Sequence, residues 1–291
     1  MDILMNYTFQ IVALGSVILA VAAAPVGALS VYKGQSLIGD AIGHSTFPGI
    51  ILAYMAFATR SPVILLAGAI LAGAASYALI QLAHRDKRLG LDANLAIFLS
   101  GFFGLGMALK SFIQGNPDYA GASQAGLGTY IFGQAAYMLE ADVLLIAVVS
   151  ALVLTLLLLF YKELKLFVFD AEYAEVVGLP CRLLNLLLLV MTIAVIGIGI
   201  KAVGAILISS FLIIPCVAAN QWSNNFARVL LLSSLIGAVS ALVGTYISTL
   251  EQGMSTGPSI ILVASLIAFF SIVFGTKGIL GSVLKRRHSH G

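Results

Sequence analysis

The chain has 291 residues, of which 60% are hydrophobic and only 9% are charged. This composition lies far outside that of soluble globular domains, so a water-soluble enzyme or a nucleic-acid-binding protein is excluded. The net charge of +3 says little as a total, because in a membrane protein the side on which the basic residues lie carries the information. The two cysteines, Cys181 and Cys216, do not indicate a disulfide framework. We predict an all-helical, polytopic membrane protein.

Apolar runs recur along the whole chain, and a helix that crosses a bilayer needs about 17 to 25 such residues. No cationic segment with a cleavage site opens the chain, so the first run is expected to remain as a span. We predict a single transmembrane domain over residues 1–291 with nine spans, or eight if the short seventh does not cross. The predicted spans are 9–30, 36–57, 62–83, 92–112, 142–161, 183–200, 203–220, 227–250 and 258–275.

The basic residues favour one orientation of these spans. With the N-terminus outside and the C-terminus in the cytoplasm, twelve of the fifteen basic residues lie on the cytoplasmic side, as the positive-inside rule requires. The cytoplasmic set is Lys33, Arg85, Lys87, Arg88, Lys162, Lys165, Arg182, Arg228, Lys277, Lys285, Arg286 and Arg287, and the external set is Arg60, Lys110 and Lys201.

Residues 36–49 place an acid and an imidazole inside an apolar span. Asp40 and His44 are four residues apart, so on a helix their side chains lie on one face, one turn from each other. A carboxylate oxygen with an imidazole nitrogen suits divalent Mn, Fe or Zn better than Ca or Mg. Gly39 and Gly43 leave room for another helix to pack closely. We interpret the pair as half of a metal site; the alternative is that Asp40 caps the helix and His44 bonds to a neighbour.

Prolines predict interruptions in three spans. Pro48 and Gly49 follow the acid–imidazole pair, and Pro48 lacks the N–H that would bond the carbonyl of His44. We therefore predict a helix break at Pro48 and Gly49, with the freed carbonyl as a further candidate ligand or the break as a hinge. Pro25 and Pro215 predict similar breaks in the first and seventh spans, since broken helices in transporters line cavities. The alternative is an ordinary kink relieved by neighbouring helices, which fits Pro25 better than Pro48.

The remaining ligand-type residues lie elsewhere. Among the twelve acids and four histidines, only Asp40 and His44 fall well inside a predicted span. Asp92 and Asp142 are the first residues of theirs, His84 belongs to a basic cytoplasmic cluster, and His288 and His290 lie in the tail. One chain thus offers two ligands, whereas these ions take about four to six. A symmetric pair of chains would supply four.

Two motifs are absent, and each absence excludes a class of protein. The chain has no Gly-x-x-x-x-Gly-Lys-Ser/Thr sequence, so it carries no P-loop, and it has no His-Glu-x-x-His sequence of a metalloprotease. We expect no enzymatic activity and no permanently bound cofactor. If transport is driven by ATP, the nucleotide site must lie on a partner chain.

The cytoplasmic segment 169–180 predicts a short helix over about 170–179. Acids in its first turn suit the helix dipole, Gly178 can close its C-terminus, and Pro180 prevents continuation. Ala171, Ala174 and Val177 would share one face beside Tyr173, which indicates a contact with another subunit. On composition alone a plain surface helix fits equally well. The residues assigned to this contact are Asp170, Ala171, Glu172, Tyr173, Ala174, Val177 and Gly178.

Two further segments carry predictions. The external segment 113–141 is too long for a simple turn, and its aromatic residues, such as Tyr130 and Phe132, indicate a short helix at the membrane interface. The basic tail 285–291 is expected to lie against anionic lipid head groups.

Several of these stretches resemble the membrane permease of bacterial ABC importers for manganese, zinc and iron. Ser36–His44 followed by Phe47-Pro48-Gly49 is similar to the metal-site helix of that family, with Asp40 and His44 at its ligand positions. Asp170–Ala174 with Gly178-Leu179 resembles its coupling helix, which docks on the ATPase. Further similarity lies at Thr129–Gly133, at Lys201–Ala205 and at Ile213-Ile214-Pro215.

The resemblance implies a permease architecture like that of the cobalamin importers, in the bacterial plasma membrane. It implies pairing with a second copy or a related permease, two ATPase subunits, and an extracellular metal-binding lipoprotein as partners. Gly39 and the Pro48-Gly49 pair resemble the manganese and iron branch more than the zinc branch, although Gly43 replaces the usual serine before the histidine. We therefore expect Mn(II) as the cargo ahead of Zn(II) or Fe(II). The rival prediction is an ion-coupled secondary transporter that uses Asp40 and His44 as a proton relay.

Overall fold

A computed structural model of the chain describes residues 6–59, 61–84, 90–116, 119, 138–250 and 254–280. Every regular element within these residues is helical, which confirms the predicted fold class. The α-helices are α1 (Tyr7–Tyr32), α2 (Ile38–Phe57), α3 (Pro62–His84), α4 (Leu91–Gly115), α5 (Glu140–Leu159), α6 (Tyr161–Phe169), α7 (Ala171–Val176), α8 (Cys181–Val203), α9 (Ala205–Asn220), α10 (Phe226–Leu250) and α11 (Thr256–Phe274).

Seven helices in the described part of the chain are long and apolar enough to cross a membrane, namely α1, α3, α4, α5, α8, α10 and α11. The 20-residue α2 is not among them, because its first half carries polar residues such as Asp40 and His44. In α9, Ile208–Asn220 forms a shorter apolar helix. Each predicted span thus corresponds to a helix, and full crossing by α2 and α9 stays a prediction.

Helix α1 lies at the centre of the bundle. Of its apolar stretch, 72% is buried inside the chain, against 11% for α4. It packs against α5, α8, α9 and α10, whereas α2 packs mainly against α3 and α4 and also touches α9. The helix that carries Asp40 and His44 therefore lies to one side of the central helix, covered by α4, which is mostly exposed.

Contacts between helix ends show that α1, α5 and α9 run in one direction and α10 in the other. At one end of the bundle, Tyr7 at the start of α1 donates to Glu140 at the start of α5, and the ring of Phe9 meets that of Tyr246 near the end of α10. At the other end, Tyr32 donates to Asn220 at 2.9 Å. We call this second end the basic end, because it carries Lys33, Lys162, Lys165, Arg182, Arg228 and Lys277. Its predicted cytoplasmic location rests on that charge.

The predicted helix breaks are wrong in this structure. Pro25, Pro48 and Pro215 each lie inside a continuous helix, and α2 also continues through Gly49. A proline removes only one backbone donor, and here the neighbouring helices hold the chain in helical geometry on both sides of it. Pro48 still donates no hydrogen bond to the carbonyl of His44, but the helix continues through it.

Some predictions fall outside the described residues. These are the interfacial helix with Tyr130 and Phe132, the similarity at Thr129–Gly133, the basic cluster at 85–88, and the tail with His288 and His290.

Candidate metal centre

Asp40 lies in the first turn of α2 but does not cap it. The helix begins at Ile38, its N-cap residue is Leu37, and no side chain makes a capping hydrogen bond there. The only ionic partner of Asp40 among the described residues is His44, one turn further along. The capping alternative is therefore not what the structure shows, and the carboxylate is directed at the imidazole.

The two side chains form a close pair on one face of α2. His44 Nε2 lies 3.5 Å from Asp40 Oδ1, which is longer than an ordinary hydrogen bond. Two ligand atoms that are each about 2.1 Å from one ion, a normal bond length for zinc, subtend roughly 110° at that ion when they are this far apart. The distance between the two atoms therefore fits two ligands bound to a single transition-metal ion.

Burial of the pair is uneven. The side chain of His44 is 14% exposed and that of Asp40 is 31% exposed, so the carboxylate remains open to an incoming ion while the ring is mostly enclosed. The ring meets Phe103 of α4 edge to face, with 4.9 Å between ring centroids. His44 Nδ1 is buried, and no hydrogen-bond partner for it lies in the part of the chain that the structure describes.

Close helix packing holds α2 in place around the pair. Helix α9 packs close to α2 beside Asp40: a Cβ on Gly39 would lie 2.6 Å from Leu212 Cδ1, the end of a flexible side chain that can move aside, and 3.7 Å from Leu212 Cβ and Cγ. On the other side, Ser45 donates to the carbonyl of Ala41 at 2.6 Å and makes a 2.7 Å hydrogen bond with Ser76 of α3. The predicted close approach at Gly39 is confirmed.

The pair has no third ligand from this chain. Within the described residues, no group of three or more histidine, cysteine, aspartate or glutamate side chains comes together. A complete shell around such a pair needs water, backbone or a second chain.

The predicted helix in the segment 169–180 is present as α7. Asp170 caps its start by accepting a 2.9 Å hydrogen bond from the N–H of Tyr173. At its end Gly178 has a φ of +88°, a left-handed conformation that favours glycine. The N–H of Leu179 then donates to the carbonyl of Ala174 at 2.9 Å and closes the turn.

The outward face of α7 differs from the predicted one. Ala174 is 0% exposed, so it packs against the bundle and cannot meet a partner. The exposed apolar residues are instead Tyr173, Val176 and Val177, and the side chain of Val176 is 84% exposed. A face that combines Ala171, Ala174 and Val177 is therefore wrong, because the single turn of α7 folds back onto α6 and α8 through Ala174.

Comparison with known proteins identifies the family of this chain. Residues 5–275 match the model of the ABC 3 transport family. The chain belongs to this family. It is a permease subunit of an ABC transporter and a multi-pass protein of the bacterial plasma membrane.

Individual relatives extend this result. The zinc transport system membrane protein TroC of Treponema pallidum is 38% identical over 99% of this chain and 96% of its own length. The manganese transport system membrane protein MntC of Bacillus subtilis is also 38% identical, over 92% of this chain, although the match spans 61% of that longer protein. A solved structure of PsaBC from Streptococcus pneumoniae in complex with Fab matches at TM-score 0.82 and 27% identity, over 95% of both chains.

Sequence reasoning missed two features of this permease. Phe103 covers the ring of His44, and nothing in the apolar pattern of α4 distinguishes it from its neighbours. Lys33 contributed only to the charge count, although it lies at one end of a hydrogen-bond network that continues through Asn185 to Tyr77. The available signal was Asn185 itself, a polar residue within a leucine-rich span.

Proposed function

We propose that this permease conducts a divalent transition-metal ion into the cell, with Mn(II) as the cargo ahead of Zn(II) or Fe(II), and that Asp40 and His44 are its ligands. The observation that carries the proposal is the 3.5 Å separation of His44 Nε2 and Asp40 Oδ1 on adjacent turns of α2. An ionisable pair at membrane depth is costly, and such pairs mark ion pathways.

The chemistry of the pair narrows the cargo. One carboxylate oxygen and one imidazole nitrogen favour Mn, Fe or Zn over Mg and Ca. Named relatives transport zinc in one case and manganese in another at the same identity of 38%, so overall similarity does not choose between them. The resemblance of the sequence around Gly39 and Pro48 to the manganese and iron branch supports Mn(II).

The ligand shell is completed by a second permease chain. Each chain brings two ligands, and a second copy or a related permease would bring two more across the pathway. Two ATPase subunits dock at the basic end, where Tyr173, Val176 and Val177 of α7 are exposed and apolar. An extracellular metal-binding lipoprotein delivers the ion at the opposite end.

Reconstitution tests the proposal. The permease is incorporated in proteoliposomes with the ATPase subunits and the binding protein of the same transporter, and uptake of Mn(II), Zn(II) and, without oxygen, Fe(II) is measured at defined free-ion levels. We expect uptake to depend on ATP. At limiting free-ion levels it should be faster for Mn(II) than for Zn(II) or Fe(II). Uptake that follows a proton gradient and ignores ATP would instead establish the ion-coupled transporter in which Asp40 and His44 relay protons.

A further inference from the structure

Lys33 follows α1 directly, at the basic end. Among the described residues no carboxylate lies within ion-pair distance of its ammonium. Neutral groups hold it instead: Nζ donates to Asn185 Oδ1 of α8, and the ammonium lies 4.6 Å from the ring centroid of Phe167 in α6. A partly buried cation with only neutral partners is costly and requires a separate explanation.

The two partners of Lys33 lie on either side of α7. Phe167 comes three residues before Asp170, the cap of α7, and Asn185 lies in the second turn of α8, which follows α7. One side chain from the end of α1 is thereby attached to both helices that flank the exposed face of α7. A displacement of α7 that moves these helices acts on Lys33.

The same side chain is tied rigidly to the start of α2. Between α1 and α2 the turn is closed by three backbone hydrogen bonds, from Gly34 to Val31 at 3.0 Å, from Gln35 to Ser30 at 2.9 Å and from Ile38 to Gln35 at 3.1 Å. Gly34 adopts a φ of +75° within it. Asp40 follows two residues after Ile38, so movement of this turn reorients the first turn of α2.

A second connection reaches α2 through α3. Asn185 Nδ2 donates to the hydroxyl of Tyr77 at 2.7 Å, and Gln81 Nε2 donates to the same hydroxyl at 2.7 Å. Tyr77 and Asn185 line a cavity together with Ile42, which lies between Asp40 and His44 in the sequence. The network around Lys33 therefore faces α2 across this cavity, at the turn that carries the metal pair.

We infer that Lys33 is a positioning residue that transmits movement of α7 to the Asp40–His44 turn of α2. This inference rests on the proposed function for its effect on metal uptake, but its structural part requires only that an ATPase acts on α7. Lys33 touches no metal ligand itself. It acts by holding the α1–α2 turn to α6 and α8.

The first test follows the backbone of α2 and does not depend on metal. Amide hydrogen exchange of residues 34–44 is measured in the complete complex, with and without a non-hydrolysable ATP analogue. We expect a nucleotide-dependent difference in the wild type that Lys33→Met reduces at least about fivefold. Methionine fills the same space without a charge, and Lys165→Met, which removes an exposed lysine from α6, is the matched control and should keep the difference.

The second test measures coupling in proteoliposomes as Mn(II) taken up per ATP hydrolysed. Lys33→Met should lower this ratio about tenfold while Mn(II) affinity stays within about twofold, and Lys33→Arg, which keeps a cation and donors, should restore most of it. Asn185→Leu should behave like Lys33→Met, and the double variant should be no worse than either single one, since the two residues act as one unit.

The outcomes separate the alternatives. If Lys33→Met retains the nucleotide-dependent exchange of residues 34–44, the inference is overturned, whatever metal the transporter carries. If Lys33→Met lowers the unfolding midpoint and Mn(II) affinity together, Lys33 is only structural and the inference is equally overturned. If the wild type shows the exchange difference but takes up no metal, the proposed function fails while the role of Lys33 in positioning stands.

Discussion

Asp40 Oδ1 and His44 Nε2 lie 3.5 Å apart on adjacent turns of α2, with the edge of Phe103 packed against the imidazole. The carboxylate of Asp40 is the more exposed of the two groups, and the imidazole of His44 is the more enclosed. Both side chains belong to one helix, and therefore a rotation of α2 moves them as a unit.

Removing either ligand atom should abolish metal binding without unfolding the protein. Asp40→Asn keeps the shape of the side chain and removes its charge, and His44→Gln keeps a polar group without the ring nitrogen. We expect each change to lower Mn(II) affinity at least about tenfold, as measured by equilibrium dialysis of the purified complex. Glu172→Gln, which removes a charge from exposed α7, is the control, and loss of affinity in that variant too would show a bulk charge effect.

A shared site predicts that one damaged chain disables the complex. Complexes that contain one wild-type chain and one Asp40→Asn, His44→Ala chain are purified through two different affinity tags. Because only half of the ligands remain, uptake should fall to the background level. Half of the wild-type rate would show that each chain carries its own pathway.

The exposed face of α7 predicts where the ATPase docks. Val176 is 84% exposed, so Val176→Arg adds bulk and charge to the surface without disturbing the fold. ATP hydrolysis stimulated by metal and the binding protein should fall at least about tenfold, while Mn(II) affinity stays unchanged. The control Val176→Ile keeps the apolar surface and should retain stimulation; Ala174→Arg should instead prevent folding, because Ala174 is fully buried.

Close packing of α2 on α3 predicts a large effect from a single methyl group. A Cβ on Gly49 would lie 2.2 Å from the carbonyl oxygen of Gly68, too close for the backbones to stay in place. Gly49→Ala should therefore lower the free energy of unfolding by about 1–3 kcal/mol. Gly101 of α4 has open space around it, so Gly101→Ala should be neutral or stabilise by up to about 1 kcal/mol, and equal losses in both variants would contradict the packing argument.

Lys33 predicts a pH-dependent stability. Burial lowers the pKa of Lys33 from 10.5 to about 8. Phe167 and Asn185 attract the ammonium and oppose this effect, and neither of them titrates. The nearest titratable group in the network is Tyr77, which bonds to Asn185. Below about pH 8, Lys33 is protonated in both the folded and the unfolded protein, so the folded protein bears the full cost of burying the charge. As pH rises from about 8 towards 10.5, the folded state is neutral while the unfolded state still binds the proton, so this cost disappears.

The measurement compares unfolding midpoints of the wild type and Lys33→Met at pH 7 and at about pH 9.5. Wild-type stability should rise relative to that of the variant as the pH increases. A constant difference between the two proteins would show that the attraction of Phe167 and Asn185 cancels the effect of burial.

The sequence by itself determined the class of protein, the helices and the pairing of Asp40 with His44. Long apolar runs predict spans because an unsatisfied backbone is too costly in lipid, and each predicted span corresponds to a helix. Asp40 and His44 were recognisable because a spacing of four residues fixes their relation on any helix, and the pair indeed lies together. Asp170 and Gly178 likewise predicted both ends of α7, since capping depends on local residues.

Only the tertiary structure decided which surfaces are free and which polar groups meet. Local sequence predicted breaks at Pro48 and Pro215, but packing by neighbouring helices keeps both helices continuous. Ala174 was assigned outward from its spacing alone, and the bundle buries it. The contact of Lys33 with Asn185, 152 residues away along the chain, depends on how α1, α6 and α8 converge, because long-range contacts follow from the packing of whole helices and not from the pattern of any one of them.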